Sequence, residues 1–243
     1  MSSSTIDHAK ATASLLKRLR SGYTPTPPVK REPLEEFLFA FLLWESTTSK
    51  AEAATKRILA SIVDFNELRV CRPPELAALL GKTYPRAEER ALRLRASLQD
   101  MYLREYEVSL APALAMHKRE ARKYIESING MPQFVGARLL LTVFDAHAVP
   151  IDDRTLHKLI AAEVLEPGSD VAKTAGVLER HIKAEDALES HGLLQAWSED
   201  SSADPTAKSR TEKPARRGAA TARGSDGTSG RSKSGGKAKP AKA

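Results

Sequence analysis

Near the middle of the chain, residues 120–159 read EARKYIESINGMPQFVGARLLLTVFDAHAVPIDDRTLHKL. The first of these residues have the spacing of an amphipathic helix, and residues 129–132 form a Gly/Pro turn of the kind that precedes a helix. Residues 133–144 are nearly all apolar, which is typical of a helix buried in a core. The pattern therefore predicts a helix-hairpin-helix. A loop then carries two adjacent carboxylates, Asp152 and Asp153, to the start of another helix.

The rest of the chain has helical periodicity and contains no convincing strand, so we predict an all-α fold. Pro and Gly residues mark several of the predicted helix ends. The predicted helices cover residues 34–44, 49–63, 75–80, 86–102, 117–128, 133–144, 155–165, 170–182 and 184–197. The helix from residue 49 is expected to begin with a capping box formed by Ser49 and Glu52. In the helix from residue 86, Arg86, Arg90 and Arg93 are expected to point away from the inner face.

Length and composition indicate one core domain with tails. The chain has 243 residues, of which 41% are hydrophobic, and no apolar run is long enough to span a membrane. Cys71 is the single cysteine, so the chain can form no internal disulfide and no site with several cysteine ligands. No secretory signal is visible. We therefore expect a cytoplasmic protein, and we expect the six scattered histidines to be solvated or to cap helices.

The positive charge of the chain is concentrated in its last residues. Residues 208–243 contain eleven Lys or Arg against two acidic residues, a net charge of +9. Because the whole chain carries +7, residues 1–207 carry −2. The basic residues of the tail are Lys208, Arg210, Lys213, Arg216, Arg217, Arg223, Arg231, Lys233, Lys237, Lys239 and Lys242. Such a polycation favours contact with DNA phosphates.

The same composition predicts three regions. Residues 1–32 are expected to be a flexible N-terminal segment with a Pro-rich linker, although residues 9–20 could form a short helix. Residues 33–198 hold the helical domain. Residues 199–243 are rich in Ser, Ala, Gly, Lys and Arg and lack large apolar side chains, so they are expected to be disordered.

In their order and spacing, these motifs resemble the endonuclease III superfamily of base-excision DNA glycosylases, also called the HhH-GPD superfamily. The family hairpin reads roughly L-P-G-V-G, and residues 128–132 of this chain read INGMP. The family's apolar helix leads into a loop ending V-D, where this chain has IDD at residues 151–153. Residues 42–48 resemble the early L-L-S-x-Q-x-T junction, and residues 80–87 resemble the I-G-x-Y-x-x-K-A turn. The resemblance covers about residues 33–197.

The resemblance implies a two-lobed helical fold and a monomer that binds double-stranded DNA, associated with the nucleoid. In this family the hairpin amides and the following helix N-terminus hold a DNA phosphate. The matching residues here are Asn129, Gly130, Met131 and Gln133, and Gly130 is expected to let the phosphate approach. Ser46 stands where the family has a glutamine that wedges into DNA. The alternative for the hairpin alone is an ordinary turn between helices.

The resemblance also implies the chemistry of the site. A carboxylate from the aspartate loop supports cleavage of the bond between base and sugar, and Asp153 is the candidate, with Asp152 as the alternative. One of the two is expected to cap the following helix. Phe134 stands where bifunctional members have a Schiff-base lysine, so we expect no AP-lyase step. No cysteine follows the last helix, so we expect no iron–sulfur cluster and no other metal.

Two functions remain open at this stage. One is a monofunctional DNA N-glycosylase that acts in base-excision repair. The other is a catalytically inactive helix-hairpin-helix protein that binds DNA and carries a tail similar to those of linker histones. The carboxylate at Asp153 favours the first function, whereas Phe134, Pro132 and Ser46 depart from the family pattern and favour the second.

Overall fold

The computed structural model describes residues 6–24, 29–81 and 83–201, and every residue in secondary structure there is helical. The helices are α1 (His8–Gly22), α2 (Pro33–Leu43), α3 (Thr48–Leu59), α4 (Phe65–Val70), α5 (Pro73–Leu80), α6 (Ala87–Glu105), α7 (Ala111–Leu114), α8 (Lys118–Glu126), α9 (Gln133–Thr142), α10 (Asp153–Ala161), α11 (Val171–His181) and α12 (Ala187–Glu199). A short 3₁₀ helix, Ala184–Asp186, precedes α12. The prediction of an all-α fold is confirmed. The eleven basic tail residues predicted to contact DNA lie outside the described residues.

The helices form two groups, which we call the inner and the outer lobe. The inner lobe is α2–α9, a continuous part of the chain in which α2 packs on α3, α6 and α9, and α6 packs on α4 and α5. The outer lobe combines the two ends of the described chain, because α1 packs on α11 and α12, and α10 packs on the same two helices. Helix α9 contacts α12 and so joins the lobes. The two-lobed fold that the resemblance implies is present, but its outer lobe includes α1, which lies outside the predicted domain of residues 33–198.

The core of the inner lobe is built on α2 and α9. All residues from Phe37 to Leu43 are buried, because α2 is surrounded on several sides by α3, α6 and α9. Phe37 and Phe41 pack edge to face with ring centroids 5.0 Å apart. In α9 the side chains of Phe134, Val135 and Leu139 are buried as well. Each such side chain contributes about 1.5–3 kcal/mol when it leaves water. The nearly continuous apolar pattern of these helices therefore reflects burial on most sides.

The hairpin between α8 and α9 is fixed by its packing against α6. Gly130 has a φ of +78°, a left-handed conformation that favours glycine. A Cβ at this position would lie 2.7 Å from the backbone oxygen of Arg93 and 2.9 Å from the Cβ of Ala96. The glycine is therefore required by the turn and by its contact with α6. This reason differs from the predicted one, which was close approach of a phosphate.

The N-terminal residues differ from the expected flexible segment. Helix α1 is capped by Asp7, whose side chain accepts a hydrogen bond from the N–H of Lys10. Its apolar face buries Leu15, Leu16 and Leu19 against α11 and α12. The predicted short helix at residues 9–20 therefore has a structural role, because it completes the outer lobe.

Three local expectations are wrong for physical reasons. Helix α3 begins one residue before the predicted capping box, and the side chain of Thr47 accepts from the N–H of Lys50 in its place. Residues 65–70, expected to be loop, form α4 with Asp64 as the N-cap. Arg90, expected to face away from the core, is fully buried and donates hydrogen bonds to the carbonyls of the α2 end.

Candidate functional site

The two adjacent aspartates occupy different environments. Asp152 is the N-cap of α10 and is 1% exposed. Its Oδ1 accepts from the backbone N–H (2.9 Å) and the hydroxyl (2.6 Å) of Thr155. Its Oδ2 accepts from the backbone N–H of Glu45 and from Nε of Arg154, both at 3.3 Å. Four donors therefore saturate a buried carboxylate, which gives Asp152 a structural role as a cap.

Asp153 is the first residue of α10, and its side chain is 44% exposed. Its Oδ2 lies 2.9 Å from Nη2 of Arg86, in the loop before α6. Its backbone N–H donates to Oε1 of Glu45 at 2.7 Å, in the loop between α2 and α3. Three loops that are distant in sequence thus meet at Asp153. We call Glu45, Arg86 and Asp153 the aspartate cluster.

Glu45 is the second carboxylate of the aspartate cluster. Burial raises its pKa, and the negative charges of Asp152 and Asp153 add to this effect. The N–H of Asp153 and the guanidinium of Arg86 act in the opposite direction. Glu45 and Arg86 both have left-handed backbones, with φ of +55° and +51°. Residues other than glycine rarely adopt this conformation, so the surrounding contacts must hold both loops in place.

A cavity of about 450 Å³ lies between the lobes. It is lined by residues of α2, α3, α9 and α12 and by the linker before α2, namely Thr24, Val29, Arg31, Phe39, Leu43, Thr48, Glu52, Arg138, Leu188, Glu189, His191, Gly192, Gln195, Ala196 and Glu199. Its volume is in the range of small-molecule sites. Asp153 does not line this cavity. Ser46 links the aspartate cluster to the cavity. It follows Glu45 in sequence, and its carbonyl accepts a hydrogen bond from Nε2 of Gln195 in the cavity wall.

One wall of the cavity is a buried network of charged groups. Arg138 donates from Nε to Oε1 of Glu36 at 2.8 Å, and Arg31 contacts the same carboxylate at 3.1 Å. Arg31 also forms an ion pair with Glu52. Burial lowers the pKa of Arg138, and the carboxylate of Glu36 opposes this shift. Each buried charge therefore has at least one partner of opposite sign, as low-dielectric surroundings require.

His191 belongs to the same wall and is neutral. Burial, together with the charge of Arg138, holds its pKa well below 6.5. Nη1 of Arg138 lies 2.6 Å from Nε2 of His191, and because a guanidinium can only donate, Nε2 must accept. The proton of the ring is therefore on Nδ1. The expectation that the histidines are solvated or cap helices is wrong for His191.

The hairpin residues predicted to bind DNA are brought together at one turn. Asn129 and Gln133 are exposed, and Gly130 and Met131 are partly exposed. The N–H of Asn129 is already used, because it donates to Oδ2 of Asp100 at 2.9 Å. Pro132 is the N-cap of α9 and has no N–H. Among the described residues, no acceptor bonds the first-turn amides of α9 at residues 133–135, so these donors are open.

Two other predicted positions are buried. Ser46, which stands at the DNA-wedging position of the resemblance, is 1% exposed and does not reach the surface. Phe134, at the lysine position, packs edge to face against His191 with ring centroids 6.0 Å apart. Sequence reasoning missed Glu45 and Arg86. Only their place within the two matched stretches, residues 42–48 and 80–87, could have pointed to them, because a left-handed backbone at a non-glycine residue has no sequence signal.

Within the ranges that the structure describes, no group of three His, Cys, Asp or Glu side chains could hold a metal ion. In the same part of the chain, no helix is both long and apolar enough to cross a membrane.

Several solved structures are similar to this chain. A non-covalent endonuclease III–DNA complex matches with a TM-score of 0.59 at 15% identity, over 78% of this chain and 85% of that one. A thermostable thymine-DNA glycosylase matches with 0.56 at 16% identity, over 79% and 86%. The H. pylori 3-methyladenine DNA glycosylase bound to 1,N6-ethenoadenine matches with 0.57 at 13% identity, over 79% and 97%. No family model and no curated protein matches the sequence. At these identities the likeness establishes the fold, which is the all-helical fold of endonuclease III.

Proposed function

We propose that this protein binds double-stranded DNA as a monomer and excises a damaged base as a monofunctional DNA N-glycosylase. The observation that carries the proposal is the exposed carboxylate of Asp153 at the start of α10, in the fold that endonuclease III and other DNA glycosylases share. The neighbouring carboxylate of Asp152 is buried and caps α10 by accepting hydrogen bonds from Thr155. The chain thus keeps one accessible carboxylate at the position where the resemblance expects a catalytic one.

The cavity between the lobes is the proposed site for a base that has left the DNA stack. Enzymes that act on bases inside a duplex extrude the nucleotide into a pocket. Phe39 and Leu43 are apolar residues of the cavity lining, and the guanidinium of Arg31 lies over the Phe39 ring at 3.8 Å. The neutral His191 and Gln195 add polar groups. Asp153 would then lie outside the cavity wall, on the side of the sugar. Glycosidic cleavage develops positive charge on the sugar, which a nearby carboxylate stabilises.

Phe134 leads us to propose that excision is not followed by strand cleavage through a Schiff base. An amine nucleophile is needed for that step, and Phe134 offers a buried ring in its place. Borohydride should therefore trap no covalent adduct between the protein and DNA with an abasic site. Efficient trapping would show that another lysine has taken this role. We further propose that the reaction uses no iron–sulfur cluster, since the chain has a single cysteine.

The decisive experiment is excision from a panel of duplexes that each carry one damaged base. If one base is excised, Asp153→Asn should lose most of the activity, while its melting temperature stays near that of the wild type. Glu89→Gln is the matched control, because Glu89 is also an exposed carboxylate paired with Arg86. That variant should remain active. Full activity of Asp153→Asn would remove the catalytic role from Asp153.

The second candidate is a DNA-binding protein of this fold that performs no excision. It is favoured by the burial of Ser46 and by the place of Asp153 outside the cavity wall. Specific binding to one damaged duplex without release of its base would support this function. Release of the base would exclude it.

The basic tail is proposed to tether the protein to DNA without reading its sequence. Its +9 charge contrasts with the −2 of residues 1–207. Each phosphate that a flexible polycation neutralises contributes roughly 0.9 to the salt dependence of binding. A chain that ends at Asp200 should bind undamaged duplex more weakly at low salt, with a shallower salt dependence. Equal affinity and slope for the two chains would contradict the tether.

A further inference from the structure

We propose that Arg86 holds the side chain of Asp153 in the free protein and exchanges it for a DNA phosphate when duplex binds. Phosphate binding would thereby release Asp153 for its role in excision. This inference rests on the proposed DNA binding and adds a residue that couples binding to the carboxylate.

Arg86 lies on an arginine-bearing face between Asp153 and the hairpin. Arg86 and Arg93 are 39% and 43% exposed, and both contact Glu89, at 3.3 and 2.9 Å. Their guanidinium carbons lie 5.3 and 5.6 Å from the centroid of the Trp44 ring. The backbone oxygen of Arg93 is the atom against which Gly130 packs. Helix α6 thus has Arg93 beside the hairpin and Arg86, about two turns earlier, in contact with Asp153.

The contacts of Arg86 can be exchanged without disturbing the fold. Its two ion pairs are at the surface, where such pairs contribute little to stability. A guanidinium binds phosphate through two parallel hydrogen bonds, which a single contact to Asp153 does not match. The free protein therefore offers DNA a cation that is held only weakly by its present partner.

The aspartate loop stays in place when the ion pair opens. The backbone N–H of Asp153 is held by Glu45 at 2.7 Å, and Asp152 fixes the start of α10 with its buried hydrogen bonds. Neither anchor involves Arg86. Departure of the guanidinium would thus free the carboxylate of Asp153 while its backbone position is kept.

Arg93 supplies a matched control on the same helix. Arg93 has the same charge as Arg86, is exposed to a similar extent and also pairs with Glu89, but its ion pair does not include Asp153. Removing either arginine takes one positive charge from the same face. Only removal of Arg86 eliminates the competition between Asp153 and phosphate.

The test measures binding of undamaged duplex over a range of salt concentrations. Arg86→Ala should lower the log–log salt slope by about one, as expected for one lost phosphate contact. Asp153→Asn should tighten binding by about two- to fivefold at low salt, because it frees Arg86 from a surface ion pair. This gain should persist in an Arg93→Ala background and shrink in an Arg86→Ala background. Arg86→Gln, which keeps a long polar side chain, should reproduce the results of Arg86→Ala.

The outcomes separate this inference from the proposed function. An unchanged salt slope in both Arg86 variants would overturn the phosphate contact. Equal gains from Asp153→Asn in the two arginine backgrounds would overturn the exchange, while DNA binding itself would stand. Absence of duplex binding by the wild-type protein would overturn the proposed function and this inference together.

Discussion

Two groups of charged side chains lie beside the cavity between the lobes, and they differ in their access to water. In the cavity wall, Arg138 and Glu36 form an ion pair whose side chains are 7% and 4% exposed. In the aspartate cluster, Arg86 and Asp153 form an ion pair whose side chains are 39% and 44% exposed. The distances are nearly equal, at 2.8 and 2.9 Å. Geometry alone therefore does not distinguish the two pairs.

Burial decides what each pair can do. A buried charge that loses its partner is left in a medium that cannot solvate it, so the pair in the cavity wall is fixed. A surface pair loses little when it opens, because water replaces the partner. The cavity wall thus joins α2 to α9 in one arrangement. The aspartate cluster is the place where contacts can change when a ligand arrives.

The largest expected effect is on the buried pair. Glu36→Gln removes the carboxylate that Arg138 and Arg31 share and leaves two buried guanidiniums short of a counter-charge. We expect a loss of about 3–5 kcal/mol in the free energy of unfolding, measured in urea. Glu89→Gln, the same change at the surface beside Arg86, should lose less than about 1 kcal/mol. Equal losses in the two variants would contradict the role assigned to burial.

The second prediction compares the adjacent aspartates. Asp152→Ala removes the cap of α10 and leaves the N–H of Glu45 and the hydroxyl of Thr155 without their acceptor. We expect a loss of about 2 kcal/mol, from the lost cap and the unsatisfied donors. Asp153→Ala should lose less than about 1 kcal/mol, since it removes a surface pair and a charge near a helix N-terminus. Urea unfolding of both variants measures the difference. A larger loss for Asp153→Ala would reverse the two roles.

The sequence was sufficient for the parts of the fold that depend on local patterns. The hairpin, the buried helix α9 and the Gly81 end of α5 follow from Gly and Pro positions and from apolar periodicity. The resemblance also implied two lobes, but nothing in the sequence placed α1 in the domain, although this helix packs on α11 and α12. Helix α4 was missed although Asp64 is an N-cap, because a helix of six residues shows no clear period.

The site was less predictable, because its chemistry depends on contacts between distant residues. The sequence offered Asp153 as the candidate and Asp152 as the alternative, but only the cap geometry shows that Asp152 is buried and Asp153 is exposed. Arg138 interrupts an apolar helix, but nothing local shows that Glu36, 102 residues earlier, is its partner. The left-handed backbones of Glu45 and Arg86 are imposed by tertiary packing.

The third prediction uses pH to probe the cavity wall. The pKa of His191 is near 6.5 in the unfolded chain and well below this value in the folded protein. Between these values the unfolded state binds the extra proton, so stability falls as pH is lowered below about 6.5, by at most about 1.4 kcal/mol per pH unit. His191→Gln can still accept from Arg138 but does not titrate.

Thermal unfolding of both proteins between about pH 7.5 and about pH 5 measures this effect. The melting temperature of the wild type should fall more steeply than that of His191→Gln. Glu45, whose raised pKa acts in the opposite sense, is present in both proteins and does not contribute to the difference. Parallel curves would show that His191 titrates equally in the folded and unfolded states.

The smallest expected effect is that of Arg86→Ala on stability. Arg86 contacts Asp153 and Glu89 at the surface, so its removal should change the free energy of unfolding by less than about 1 kcal/mol. Alanine, like arginine, has a β-carbon. The left-handed backbone at residue 86 is therefore as unfavourable in the variant as in the wild type, and no strain is relieved. Urea unfolding of Arg86→Ala and Arg93→Ala should give nearly equal values. A loss above about 2 kcal/mol in the free energy of unfolding, for Arg86→Ala alone, would mean that the pair of Arg86 with Asp153 is structural, like the pair in the cavity wall. An ion pair of that strength would not exchange Asp153 for a phosphate.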